Sequence, residues 1–107
     1  MSTIDMNKNS FDEMVNSGSP VLVEFWAPWC SYCRRIGPAY ERVAEEYSGR
    51  LTVGRVNIDD EGALADAEKV EVVPTIVLYR DGKAAGSIVA PDSKAAIDEF
   101  LGSALSN

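Results

Sequence analysis

Cys30 and Cys33 are the only thiols in the chain, with Ser31 and Tyr32 between them. On a helix this spacing sets the second sulfur one turn below the first, close enough for a disulfide to form and reopen without moving the backbone. The pair stands where an apolar, strand-like run, Val21 to Trp26, hands over to a helical pattern that carries on to Tyr47. The first turn of a helix has unpaired N–H groups and the positive end of the dipole, and both stabilise a thiolate. The thiolate is the nucleophile of thiol–disulfide exchange, so reversible dithiol chemistry is what this placement favours. The same spacing also serves zinc sites, haem attachment, static disulfides and pairs of buried small residues. Structural zinc takes four Cys or His ligands. This chain has two Cys and no His, so no metal is expected. Without His, a Cys–His nucleophilic pair and c-type haem are excluded as well.

Two charged residues interrupt apolar runs nearby. Glu24 is flanked by Leu22, Val23, Phe25 and Trp26. An unpaired carboxylate in such a place is costly and acquires a raised pKa or a partner. Its side chain either escapes to a sheet edge or is a buried base that shuttles a proton to and from Cys33. Arg55, inside the run Leu51 to Ile58, is the candidate partner. Its permanent charge favours ionised Glu24 and so opposes the effect of burial, and the sequence leaves open which wins. Trp26 is expected in the core. Trp29, in a turn directly before Cys30, is expected half exposed and available to a partner. Pro74 reads on its own as an ordinary strand-start proline.

The elements that must position these residues follow in order. Thr3 to Met6 reads as a short strand. Ser10 and Glu13 fit a capping box for a helix through Met14 and Val15 that stops at Gly18. Val21 to Trp26 reads as a strand covered on both faces. The helix after the cysteines has Ile36, Tyr40, Val43 and Tyr47 on one side, a kink expected at Pro38, and an end at Gly49. Leu51 to Ile58 is a strand, and Gly62 to about Glu68 a short helix. Thr75 to Arg80 and Lys83 to Val89 form a hairpin across Asp81-Gly82. Ser93 caps a last helix whose buried stripe is Ile97, Phe100, Leu101 and Ala104. Alternation first and a hairpin last make an α/β protein: a mixed central sheet with helices on both faces. The dithiol falls at the carboxyl end of a strand, where open α/β sheets place their ligands.

The 107 residues suit one domain, 1–107, and 46% are hydrophobic, enough for a core. A net charge of −7 argues against nucleic acid and anionic membrane as partners. No apolar run approaches the ~20 residues needed to span a bilayer. The first residues show no signal-peptide pattern, so the expected location is cytoplasmic, where a disulfide is more often catalytic than structural.

Val21 to Cys33, Val56-Asn57-Ile58-Asp59, Val73-Pro74-Thr75 and Glu99-Phe100-Leu101, taken together, resemble the thioredoxin family over essentially the whole chain. The resemblance implies the thioredoxin fold, a central mixed sheet flanked by four helices. It implies that Cys30 is the exposed nucleophile and Cys33 the buried resolving thiol. Pro74 matches the family's cis proline facing the disulfide, and Val73 would pair its backbone with a substrate chain. Glu24 falls where the family usually has Asp, and Arg55 where it usually has Lys. Implied partners are disulfide-containing protein substrates and a thioredoxin-reductase-like flavoprotein; the protein is expected to be a monomer, with no bound cofactor. Substrate contacts are expected from Trp29, Ser31, Tyr32, Val73, Pro74 and Ala90. Three departures stand out. Ser31-Tyr32 replaces the usual Gly-Pro, which predicts a less reducing dithiol. Ala90 replaces a usual Gly on the substrate-facing surface, which would narrow partner choice. Val70 to Val73 lacks the usual Gly before Val-Pro. All three bear on which reductase recognises the protein. The function implied is reduction of protein disulfides by dithiol exchange. The alternatives are a less reducing oxidase or isomerase, and a binding module with an incidental dithiol.

Overall fold

The computed structural model describes residues 3–106. In chain order the elements are β1 (Ile4–Asp5), α1 (Lys8–Val15), β2 (Val21–Trp26), α2 (Ser31–Glu46), β3 (Thr52–Asn57), α3 (Gly62–Ala67), β4 (Thr75–Arg80), β5 (Lys83–Val89) and α4 (Lys94–Leu105). Among the described residues, five strands form one mixed sheet in the order β1-β3-β2-β4-β5. β1, β3 and β2 run parallel, whereas β4 is antiparallel to β2 and β5 to β4. The alternating first half thus gives the parallel part and the hairpin the antiparallel edge, as the pattern predicts. Asp81 and Gly82 both have positive φ, 55° and 79°, as a two-residue hairpin turn that follows the strand twist requires.

β2 is the middle strand, and its alternation sorts the core. Leu22 packs with Ile36, Tyr40 and Val43 of α2 and Ile97 and Leu101 of α4. Val21, Val23 and Phe25 pack on the other face with Phe11 and Val15 of α1 and Leu64 of α3. The even-numbered face is therefore the one turned to α2, and Glu24 lies on it. The Tyr40 hydroxyl donates to Leu22 O and Gly54 O (3.3 and 2.8 Å), tying α2 to both parallel strands.

Some helix ends differ from expectation. α1 is capped by Asn7, not Ser10: the Asn7 side chain accepts from the Ser10 N–H, and the Ser10 hydroxyl accepts from the Asn7 N–H. Starting at Ser10 would leave barely one turn, whereas starting at Asn7 allows two and buries Phe11 and Val15 together. α1 and α2 also end earlier than Gly18 and Gly49. These glycines sit in the following turns at φ 95° and 86°. Pro38 lies inside α2, and the helix continues on either side of it. Ser93 caps α4 as expected, accepting from the Ala96 N–H at 3.1 Å. In the α4 stripe Ile97 and Leu101 are buried, and Phe100 and Ala104 pack against them half-buried.

Candidate active site

β2 ends at Trp26, a short turn follows, and Cys30 becomes the N-cap of α2. The cap is made by sulfur: Cys30 Sγ accepts the Cys33 N–H at 3.1 Å. The two cysteines are joined by a disulfide with Cα atoms 5.3 Å apart, well inside the range such a bond spans. Both sulfurs are largely covered, by neighbours that include Ala27, Trp26, Tyr32, Ile58 and Val73. Cys30 keeps 7% of its surface exposed and Cys33 1%. The nucleophile implied as exposed is thus mostly sheltered, and the accessible side of the bond is still that of Cys30. One face of the shelter is the strand-side loop: Cys30 Sγ lies 3.8 Å from Val73 O. The Val73–Pro74 peptide bond is cis. Pro74 is buried, and the Thr75 hydroxyl donates to Val72 O at 2.6 Å, folding the loop beneath the pair.

Around this centre the surface is apolar. Trp29 is 65% exposed, more than expected, and Val72 is 53% exposed. Both line a small cleft of about 80 Å³ with Ile58, Val70, Glu71 and Val73. The Trp29 indole N–H donates to Asp59 at 3.1 Å, which fixes the ring beside the cysteines. Asp59 and Val72 stand out in the sequence only as members of the segments Val56–Asp59 and Val70–Val73, with no spacing that ties either to the dithiol. Asp59 looks like an acidic helix lead-in, and Val72 like part of a strand approach. Ser31 is exposed. Tyr32 is half-buried, with its hydroxyl 3.1 Å from both Ala90 O and Pro91 O. Ala90 reaches the same neighbourhood through its N–H, which donates to Pro74 O at 2.9 Å. The expected contact residues Trp29, Tyr32, Val73, Pro74 and Ala90 are thus brought together around the disulfide.

Glu24 does not escape to an edge. Its side chain is fully buried, in register with Arg55 on β3, and its Oε1 accepts from Arg55 Nε at 3.3 Å. The Arg55 guanidinium also lies over the Trp26 ring, 4.1 Å from its centre. Among the described residues Glu24 Oε2 has no hydrogen-bond partner. Burial outweighs the arginine and pushes Glu24 up from 4.5 to about 7. Desolvation is the larger cause, the attraction and hydrogen bond of Arg55 oppose it, and Glu41 adds a small upward push. Arg55 and Trp26 line an open pocket of about 500 Å³, with Asn57 and Asp60 among its other walls. Glu24 and Trp26 share a face of β2, and Trp26 packs against the cysteines. The carboxyl is therefore on the dithiol's side of the sheet.

The thioredoxin family model matches residues 2–103. The chain belongs to the thioredoxin family. A thioredoxin of Porphyra purpurea is 32% identical over 102 residues, covering 94% of this chain and 95% of the relative. A chloroplastic M-type thioredoxin of Zea mays is 34% identical, covering 91% of this chain and 68% of its own length. That of Pisum sativum is 36% identical, and this chain spans only 55% of its length. As in other members of the family, the Cys30–Cys33 pair makes the protein a thiol–disulfide oxidoreductase acting on disulfide-containing proteins.

Proposed function

We propose that the protein is a reductase of protein disulfides in which Cys30 attacks and Cys33 resolves. The observation that carries this reading is the sulfur cap: Cys30 is the more accessible cysteine and already accepts the Cys33 N–H at the start of α2. A thiolate there keeps that bond and gains from the helix dipole. In the reduced protein the Cys30 thiolate attacks one sulfur of a substrate disulfide. That S–S bond breaks, a mixed disulfide forms, and the released substrate thiolate takes a proton from water. Cys33 then loses its proton to Glu24, and its thiolate attacks Cys30 Sγ. The mixed disulfide breaks, the second substrate thiol leaves, and two electrons have moved from the dithiol to the substrate. A carboxyl with a pKa of about 7 is poised to accept and return a proton near neutrality. The 500 Å³ pocket beside Arg55 offers a route to solvent for that proton.

Trp29, Val72 and Val73 would seat the substrate chain, with Ser31 at its edge and Ala90 on the opposite wall. A flavoprotein of the thioredoxin-reductase type would return the oxidised pair to the dithiol. Such a cycle belongs in a reducing compartment such as the cytoplasm. The protein would work as a monomer, because the large apolar residues exposed among the described ones are few and two of them, Trp29 and Val72, line the substrate cleft. With Ser31-Tyr32 between the cysteines, its reduction potential would lie above the roughly −270 mV of thioredoxin.

The direct test is insulin reduction driven by dithiothreitol. Cys30→Ser abolishes catalysis, and pre-reduced Cys33→Ser, mixed with insulin after dithiothreitol is removed, accumulates covalent complexes that added dithiothreitol releases. Full activity in Cys30→Ser would overturn the assignment of the attacking sulfur.

A further inference from the structure

We propose that the Tyr32 hydroxyl is a clasp that holds the Ala90–Pro91 loop against the dithiol helix and thereby sets which protein disulfides the site accepts. This rests on the reductase reading above. The hydroxyl has two acceptors at 3.1 Å, Ala90 O and Pro91 O, so its single proton is shared between neighbouring carbonyls. Ala90 itself is held at φ 46°. In that left-handed region a Cβ crowds the following carbonyl, and glycine is the residue at ease there. Something must hold an alanine in place, and it is gripped from both sides. Its N–H donates to Pro74 O at 2.9 Å, and its carbonyl accepts from Tyr32.

The result is a continuous path around the disulfide. Tyr32 binds Ala90, Ala90 binds Pro74, and Pro74 follows Val73, whose carbonyl lies 3.8 Å from Cys30 Sγ. A substrate chain running along Val73 meets a wall whose position the clasp decides. The Tyr32 ring is steadied independently, with the Arg35 guanidinium 5.4 Å from its centre. Removing only the hydroxyl therefore leaves the ring supported and opens only the clasp. Tyr32 is here a positioning residue: a small disulfide needs only the sulfur, whereas a protein disulfide needs the wall.

The test compares wild type with Tyr32→Phe, both reduced with dithiothreitol. Second-order rate constants are measured for insulin and for the small aromatic disulfide 5,5′-dithiobis(2-nitrobenzoate), with hydrogen exchange of the Ala90 amide followed by NMR. The insulin-to-small-disulfide rate ratio is expected to fall about three- to tenfold, and Ala90 exchange to speed up about tenfold, the scale of one lost hydrogen bond. A ratio within twofold of wild type overturns the clasp. So does a lowered ratio with Ala90 exchange unchanged, since the ring and not the hydroxyl would then be acting. Failure of the wild type to reduce either disulfide would instead overturn the reductase reading itself.

Discussion

Glu24 is the residue whose two opposed influences can be weighed. In the unfolded chain it ionises near 4.5; in the folded protein burial holds its proton to about 7. Well below pH 4.5 it is protonated in both states, and its contribution to stability is fully present. As pH rises, the unfolded state ionises first, so the folded protein loses stability between about 4.5 and 7 and levels off above. At about 1.4 kcal/mol per pKa unit, the loss approaches about 3 kcal/mol. Glu24→Gln mimics the protonated form. It should match wild type near pH 3.5 and exceed it by up to about 3 kcal/mol at pH 8 in urea unfolding. It should also slow release of substrate from the mixed disulfide more than the first attack. Parallel pH profiles for the two proteins would show that burial does not dominate at this carboxyl. The Glu24–Arg55 pairing was legible in the sequence because each charge breaks an apolar run, and adjacent strands put the two in register. Trp29–Asp59 and Tyr32–Ala90 were not legible as contacts. They join residues 30 and 58 positions apart, and no periodicity connects a turn to a distant loop.

Among the elements, the β1–β3 pairing depends on one missing side chain. Gly54 sits opposite Ile4 on β1. A Cβ there would run into the Sδ and Cε of Met6 and stand 3.0 Å from Ile4 O. The methionine end can move, but the backbone of β1 cannot without loosening its pairing with β3. Gly54→Ala is therefore expected to lower stability by about 1–3 kcal/mol, seen as an earlier urea midpoint at unchanged slope. An unchanged midpoint would mean that Met6 alone absorbs the contact. Strands and helices of this kind were readable because each has its own hydrophobic period: the run Val21 to Trp26 for a strand covered on both faces, Ile36-Tyr40-Val43 for a helix stripe. The start of α1 differs from the sequence expectation because two overlapping capping signals compete within four residues. Asn7 wins because it allows a second helical turn and brings Phe11 and Val15 onto the core, a tertiary gain that local spacing does not contain.

For the molecule as a whole, net charge and size set how far partners feel it. The protein carries a net charge of −7 within a body of 31 × 28 × 23 Å. At 10 mM salt the screening length is about 30 Å, so an approaching protein senses the whole charge; at 0.1 M it is about 10 Å, and only the charges beside the dithiol count. Those are of both signs: Arg34 and Arg35 on α2, Asp59 bonded to Trp29, and Glu71 lining the cleft. The rate constant for reducing a disulfide in a basic protein should therefore fall with added salt, by about tenfold between 10 mM and 0.1 M, and change little beyond. For an acidic protein of similar size the rate should rise over the same interval. Stopped-flow rates across that range, with one basic and one acidic substrate, test it. Equal salt slopes for the two would mean that the local charges at the dithiol, and not the net charge, govern the encounter.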